Sequence, residues 1–298
     1  MTVSLVPFDR LHPGQQFTLS PAATVVLRPK ACVQFGLDAS CASIIECDSQ
    51  VAARRLADVL RACNTPTPVE SILRSLVSVN IDIHLARAIL EDLIGYRVLT
   101  PHRPRRVVAL VGNSPLARTI VRLLPDTQWQ LYTKDAGTNI TDFILQWGNH
   151  APLLCVDTLL ESPGVARATQ HLEAPTLIQA AVVDGHGWVG PVMIDGEGAC
   201  PLCAELYRID RDPHWRTLLA QQLTTRAAVS PATLAATAAE VVTILSLLAT
   251  QASIPPGVKP RTIRPGEQTV IEPYSGQLTH SLVAPHRFCD VCFTAQRN

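Results

Sequence analysis

Apolar positions change their period twice along this chain. Between residues 24 and 47 they fall into three short β-branched runs, 24–27, 32–36 and 43–47, punctuated by Pro29-Lys30 and Asp38-Ala39-Ser40. That is the grammar of strands and turns. From residue 51 the spacing becomes helical: Val51, Leu56, Val59 and Leu60 share one face of 51–63. Ile72, Leu73, Leu76 and Val77 do the same in 69–77, and Leu85, Ile89, Leu90 and Leu93 in 83–94. Period-3.6 stripes of this kind predict amphipathic helices. Residues 1–22, rich in Pro, Gly and Gln, read as an extended arm, and 97–99 reads as a returning strand. Three strands, three helices and a wing-like return predict a winged-helix domain over residues 1–100. Pro101-His102-Arg103-Pro104-Arg105-Arg106 then reads as a linker, stiffened by proline and solvated by charge.

After the linker the runs become continuously apolar, as strands buried on both faces require. Val107-Val108-Ala109-Leu110-Val111-Gly112 predicts a strand entering a turn, and a helix follows at 118–124. Further strands are expected at 128–132, 153–157, 176–183 and 188–194, with a helix from Cys203 toward Tyr207. Ser230-Pro231 is an N-cap followed by proline at the first helical position. The helix beyond it carries Leu234, Ala238, Val241, Leu245 and Leu248 on a packing face, and Pro255-Pro256-Gly257 stops it. A closing hairpin is expected from 269–272 and 277–282 around Tyr274-Ser275-Gly276. These elements predict a Rossmann-type α/β domain over 107–298.

Composition narrows the function classes. At 298 residues two domains are the natural expectation, and hydrophobic and charged shares of 47% and 17% describe a globular interior. Lys+Arg and Asp+Glu are equal at 25 each, so no global field draws the chain to nucleic acid or an anionic membrane. No signal peptide is visible in the first nine residues, and the most apolar segment, 231–249, is broken by Glu240 and several threonines. Nine cysteines, an odd count, suit a reducing cytoplasm better than a disulfide framework.

Four of those cysteines carry the strongest chemical signal. Cys200-Pro201-Leu202-Cys203 and Cys289-Asp290-Val291-Cys292 are two C-x₂-C pairs, each able to give two ligands about one turn apart. Together they predict a closed, structural Cys₄ zinc site tying the end of the chain to its middle. One pair alone would equally fit a redox dithiol. Weaker signals surround it. Gly112 begins a dinucleotide-type turn, but Ser114 holds the second glycine position and Ala117 the third, and Pro115 removes a backbone N–H from the anion nest. Asp157 ends a buried strand where α/β ligands sit. His214 and His286 lie near the knuckles and are weighed as supports for the metal. Cys155, between Leu154 and Val156, reads as core.

The turn at Gly112, Asp157, Gly190-Pro191-Val192 and both knuckles together resemble the ThiF-like relatives of ubiquitin-activating enzymes. More narrowly, Gly198-Ala199-Cys200-Pro201-Leu202-Cys203 followed by Arg211-Asp212-Pro213-His214-Trp215 resembles the ThiF-like partner proteins of azole- and thiopeptide-type peptide-modification clusters. The resemblance implies an N-terminal RiPP recognition element that clamps the leader of a ribosomally made precursor peptide. It also implies presentation of the core to a separate YcaO cyclodehydratase, which spends ATP to turn Cys, Ser or Thr into azolines. Mapped here, the clamp falls on the edge Ser43, Ile44, Ile45, Glu46, Cys47 and on the helix positions His84, Arg87, Ala88 and Glu91. The zinc ligands fall on Cys200, Cys203, Cys289 and Cys292.

Three functions are set against one another. A non-adenylating scaffold that binds leader and cyclodehydratase is the expectation, with zinc as structural cofactor, no ATP of its own, and homodimerisation by analogy with relatives. An ATP-dependent ThiF-type enzyme adenylating a peptide or carrier C-terminus is opposed by the degenerate turn at Gly112, Ser114 and Ala117. A DNA-binding regulator is opposed by the polar side of the third helix. With Asp82, His84, Arg87, Glu91 and Asp92 it lacks the basic face that phosphates need.

Overall fold

The computed structural model describes residues 11, 12, 14–38, 42–225 and 229–295. The chain divides into two compact units. One runs through Pro104 and also includes Ala252–Arg261; the other comprises Arg105–Gln251 and Thr262–Asn298.

In the first unit, β2 (Val25–Arg28), β3 (Cys32–Phe35) and β4 (Ser43–Glu46) form an antiparallel sheet in that order. Helices α1 (Gln50–Ala62), α2 (Val69–Ser78) and α3 (Ile83–Gly95) follow. Two of them begin at a capping side chain: Ser49 caps α1 by accepting from Ala52 N–H, and Asp82 caps α3 by accepting from His84 and Leu85. Their apolar stripes meet in one core containing Leu56, Leu60, Ile72, Leu76, Leu90 and Leu93 beside Val33 and Phe35. Part of the expected arm is a strand, β1 (Gln16–Leu19). It pairs antiparallel with the short β5 (Thr67–Pro68) and with β6 (Leu99–Pro101), making a second small sheet. The returning strand therefore starts two residues later than its apolar pattern implies, because Arg97 takes a left-handed turn (φ 59°). Residues 1–10 of the arm lie outside the described residues. Within this unit Arg97 Nη1 donates to Val258 O at 2.6 Å.

The second unit is built on a seven-stranded sheet. It contains β7 (Arg106–Val111), β8 (Trp129–Thr133), β9 (Leu153–Val156), β10 (Leu177–Val183), β11 (His186–Met193), β12 (Glu267–Glu272) and β13 (Gln277–Leu282). Their order is β13-β12-β11-β10-β9-β7-β8. The four strands from β10 to β8 are parallel, and β11 to β13 are antiparallel. Helices α4 (Pro115–Leu123) and α9 (Pro231–Leu248) share one core with one face of the sheet. On the other, α5 (Ile140–Trp147), α6 (Ser162–Thr169) and α7 (Pro201–Arg211) share a core with the cysteine knuckles. Helix α8 (Trp215–Thr225) follows α7, and α10 (Asp290–Ala295) closes the chain. Helix α9 is long and apolar enough to cross a membrane, with mean hydropathy 1.6, yet Ala238, Val241, Ile244 and Leu245 are buried against the sheet.

Candidate metal centre

Strand β11 and helix α7 position the first knuckle. Cys200 is the residue before α7 and Cys203 lies in its first turn, where Cys203 N–H donates to Cys200 O at 3.0 Å. The second knuckle arrives from β13, and close backbone packing delivers it. Gly198 (φ 103°) lies so near Gly266 that a Cβ there would meet Gly266 N at 2.5 Å. Gly266 N–H bonds to Val192 O, and Val283 N–H bonds to Gly266 O, both at 2.8 Å. Gly266, just before β12, thus links β11 to the chain leaving β13.

The result is a compact cluster of four sulfurs. Cys200 Sγ stands 3.7 Å from Cys203 and 3.5 Å from Cys289, and Cys203 stands 3.4 Å from Cys292. All four sulfurs lie within 4.8 Å of one another. A Zn–S bond of about 2.3 Å sets tetrahedral S···S edges of about 3.8 Å, so the cluster matches a Cys₄ cage. The proton balance agrees. Hydrogen bonding from Cys200 pulls the Cys289 thiol down to about 7, and bonds from Cys200 and Cys203 pull Cys292 down to about 4. Cys200, the donor, is pushed upward. Thiols that share protons across such short contacts are placed for a thiolate-binding cation to displace them. The four cysteines fit a metal, and their softness and closed geometry are compatible with zinc.

Support around the cage comes from His286, which is buried. Its backbone N–H donates to Cys203 Sγ at 3.2 Å, and its carbonyl accepts from Cys289 N–H at 2.9 Å. Its Nδ1 accepts from Phe288 N–H at 3.2 Å, which leaves Nε2–H to donate to Asp210 Oδ2 at 2.9 Å. The Tyr207 ring packs edge-on at 4.6 Å. Gln170 Nε2 holds Val291 O at 3.0 Å. His214 is exposed on the α7–α8 corner, where its N–H bonds to Asp212 Oδ1. Of the two histidines weighed, His286 supports the knuckle.

That corner explains the Arg211–Trp215 motif. Trp215 sets its ring 5.5 Å from the Arg208 guanidinium, which also lies 5.0 Å from the Trp188 ring. Burial pushes Arg208 down to about 10. Arg216 Nε lies 3.2 Å from buried Glu205 Oε1, a Coulombic contact without hydrogen-bond alignment, and Arg216 Nη2 donates to Leu160 O. Burial raises the Glu205 carboxyl, with Arg216 and Arg208 opposing. No sequence signal singled out Glu205.

The crevice at the carboxyl ends of β7 and β9 is the switch point of the sheet. Gly112 (φ 127°) is demanded there by packing, because a Cβ would meet Val156 O at 2.3 Å. Ser114 caps α4, accepting from Ala117 N–H at 3.1 Å, with Pro115 in the first turn. Proline at that position starts the helix, so α4 begins three residues before the expected 118. The Ser114 hydroxyl also bonds to Asp157, whose Oδ1 accepts from Val182 N–H at 3.2 Å. Burial raises the Asp157 carboxyl against those bonds. Cys155 is fully buried and pushed up to about 12, chiefly by that burial, which makes it a poor nucleophile.

The residues assigned to the peptide clamp sit on two elements. Strand β4 is an edge of its sheet: Ile44 and Glu46 are exposed, Ser43, Ile45 and Cys47 half-buried. On α3, which packs on α2 and β6, His84, Arg87 and Ala88 are exposed and Glu91 is half-buried.

No family model matches the chain, and no curated protein matches it. Solved structures do. A heterocyclase in complex with substrate and cofactor aligns with a TM-score of 0.58 at 17% identity, over 93% of this chain and 39% of that one. The heterocyclase TruD aligns at 0.59 and 14% identity, over 93% and 43%. The fold is one that heterocyclases contain. E. coli MccB with MccA-N7isoASN aligns at 0.50 and 11% identity, over 93% and 99%. At these identities the likeness is one of fold, and the chain spans about two fifths of the length of the heterocyclases it matches.

Proposed function

We propose that this protein binds the leader of a ribosomally made precursor peptide and presents its core to a separate YcaO cyclodehydratase, as a non-adenylating subunit. The observation that carries the reading is the match of 93% of this chain to two heterocyclases, one of them solved with substrate and cofactor. On this reading β2–β4 and α1–α3 are the winged-helix recognition element. The leader runs along Ser43, Ile44, Ile45, Glu46 and Cys47, and His84, Arg87, Ala88 and Glu91 supply side-chain contacts. The metal centre holds the scaffold together. Ring formation, with its ATP, belongs to the partner.

The test is fluorescence anisotropy of a labelled leader, taken from a precursor gene neighbouring this one, titrated with the full chain. Saturable binding, and faster azoline formation when a YcaO partner is added to the leader complex, is the expected result. Absence of binding by folded, metal-loaded protein overturns it.

A second reading, ATP-dependent adenylation, is favoured by Asp157 at the switch point, where α/β ligands sit. Its weakness is that Asp157 already takes bonds from Ser114 and Val182. ATP–pyrophosphate exchange by the isolated chain would select this reading over the first.

A further inference from the structure

The hydrogen-bond phase of the first sheet identifies which residues of β4 face outward. Cys47 N–H donates to Ala31 O at 2.9 Å, and pairs in an antiparallel ladder alternate between bonded and non-bonded. With Val33 opposite Ile45 and Phe35 opposite Ser43, the bonded pairs are Ala31/Cys47, Val33/Ile45 and Phe35/Ser43. The other side of β3 agrees: Gly36 N–H donates to Thr24 O, so even-numbered β3 residues bond to β2. The N–H and C=O groups of Ile44 and Glu46 therefore point along the outer edge of β4. Their side chains share one face and are exposed, Ile44 by 47%, while Ile45 between them packs on the core.

This edge lacks the proline, lysine or bulge that usually blocks strand addition. Residues 43–50 contain two acids, Glu46 and Asp48, and no lysine or arginine. We infer that β4 selects a basic-x-aliphatic segment: an extended peptide in antiparallel register, with Lys or Arg beside Glu46 and, two residues later, Ile, Val or Leu beside Ile44. Antiparallel pairing continues the sense of the sheet and reverses the order, so the residue facing Glu46 comes first. Opposite charges and branched aliphatic neighbours are the favourable cross-strand pairs, each worth up to about fivefold in affinity. The inference rests on the leader-clamp reading and gives its ligand a chemistry.

The experiment selects a random dodecapeptide display library on immobilised, metal-loaded full chain. Enrichment of Lys/Arg-x-Ile/Val/Leu is expected from wild type, and Glu46→Lys should shift the first position to Asp or Glu. Ile44→Pro removes the outward N–H together with the Ile44 side chain and leaves the bonds to β3, so the selected peptides should lose binding with the thermal melt preserved. N-methylation of the peptide residue facing Ile44 should do the same on the unaltered protein. Peptides that depend on Ile44 but show no basic preference and no response to Glu46→Lys overturn the specificity while leaving the clamp intact. No enrichment over bare support, or selected peptides indifferent to both Ile44→Pro and N-methylation, sinks the clamp itself. A concentration-dependent dimer in light scattering that Ile44→Pro abolishes would assign the edge to a second copy and overturn the inference.

Discussion

The switch-point crevice and the cysteine cluster both gather polar groups from distant segments of the second unit, and they reach opposite states. In the crevice, Asp157 is held by the Ser114 hydroxyl and the Val182 N–H, and Gly112 is filled against Val156. In the cluster, four sulfurs lie within 4.8 Å of one another, three of the pairs at 3.4–3.7 Å, and hydrogen bonds between them lower the pKa of two of the thiols. A polar site closed by its own backbone and cap is architecture. One that concentrates soft donors at coordination spacing is built for an ion.

The largest test of this contrast is removal of the metal. Structural zinc contributes on the order of 10 kcal/mol of apparent binding energy in small domains. Cys203→Ala is therefore expected to abolish stoichiometric metal, read by elemental analysis, and to melt the second unit. An unchanged melt would show that the cage does not hold the fold. Gly112→Ala comes next. The Val156 O contact and left-handed backbone predict a loss of about 3 kcal/mol or more in denaturant unfolding. A neutral result would return this glycine to a ligand-binding role.

His286→Ala should weaken metal binding about 10- to 100-fold in chelator competition, as loss of an outer hydrogen-bonded support does. Asp210→Asn keeps an acceptor oxygen and should cost less; equal effects would mean that charge, not position, matters. The smallest effect is in pH. Burial raises Asp157 in the fold, so the folded state binds the extra proton above the ordinary value of 3.8. Wild-type stability should fall as pH rises from there through the elevated folded value. Asp157→Asn should flatten that slope in melts between pH 4 and 7, and a parallel pair of curves would refute the burial argument.

Much of the second unit was legible because parallel strands buried on both faces write continuous apolar runs, such as 107–111 and 153–156. The cage was legible because its chemistry ties residue type to spacing. Other elements hide for physical reasons. Helix α6 opens Ser162-Pro163-Gly164, a turn signal that also suits a first helical turn. Helix α8 carries little apolar periodicity; among its described side chains Leu219 is buried and Trp215 half-buried. Helix α5 was hidden by the polar 133–142 approach to it, and β1 is only four residues long. His286 was visible as a neighbour of the knuckle, but its bond to Asp210 spans 76 residues and exists only in the fold.

The excursion of Ala252–Arg261 into the first unit bears on how such a protein is divided by evolution or by design. The chain passes between units three times, so the gene has no single seam. A fission at the proline-rich linker would give the N-terminal product an incomplete wall, with Arg97 deprived of the Val258 carbonyl. A transplantable recognition module would have to carry this ten-residue insert in trans or have it grafted back. Natural shuffling of the first unit is expected to proceed by exchange of whole genes, leaving the linker uncut.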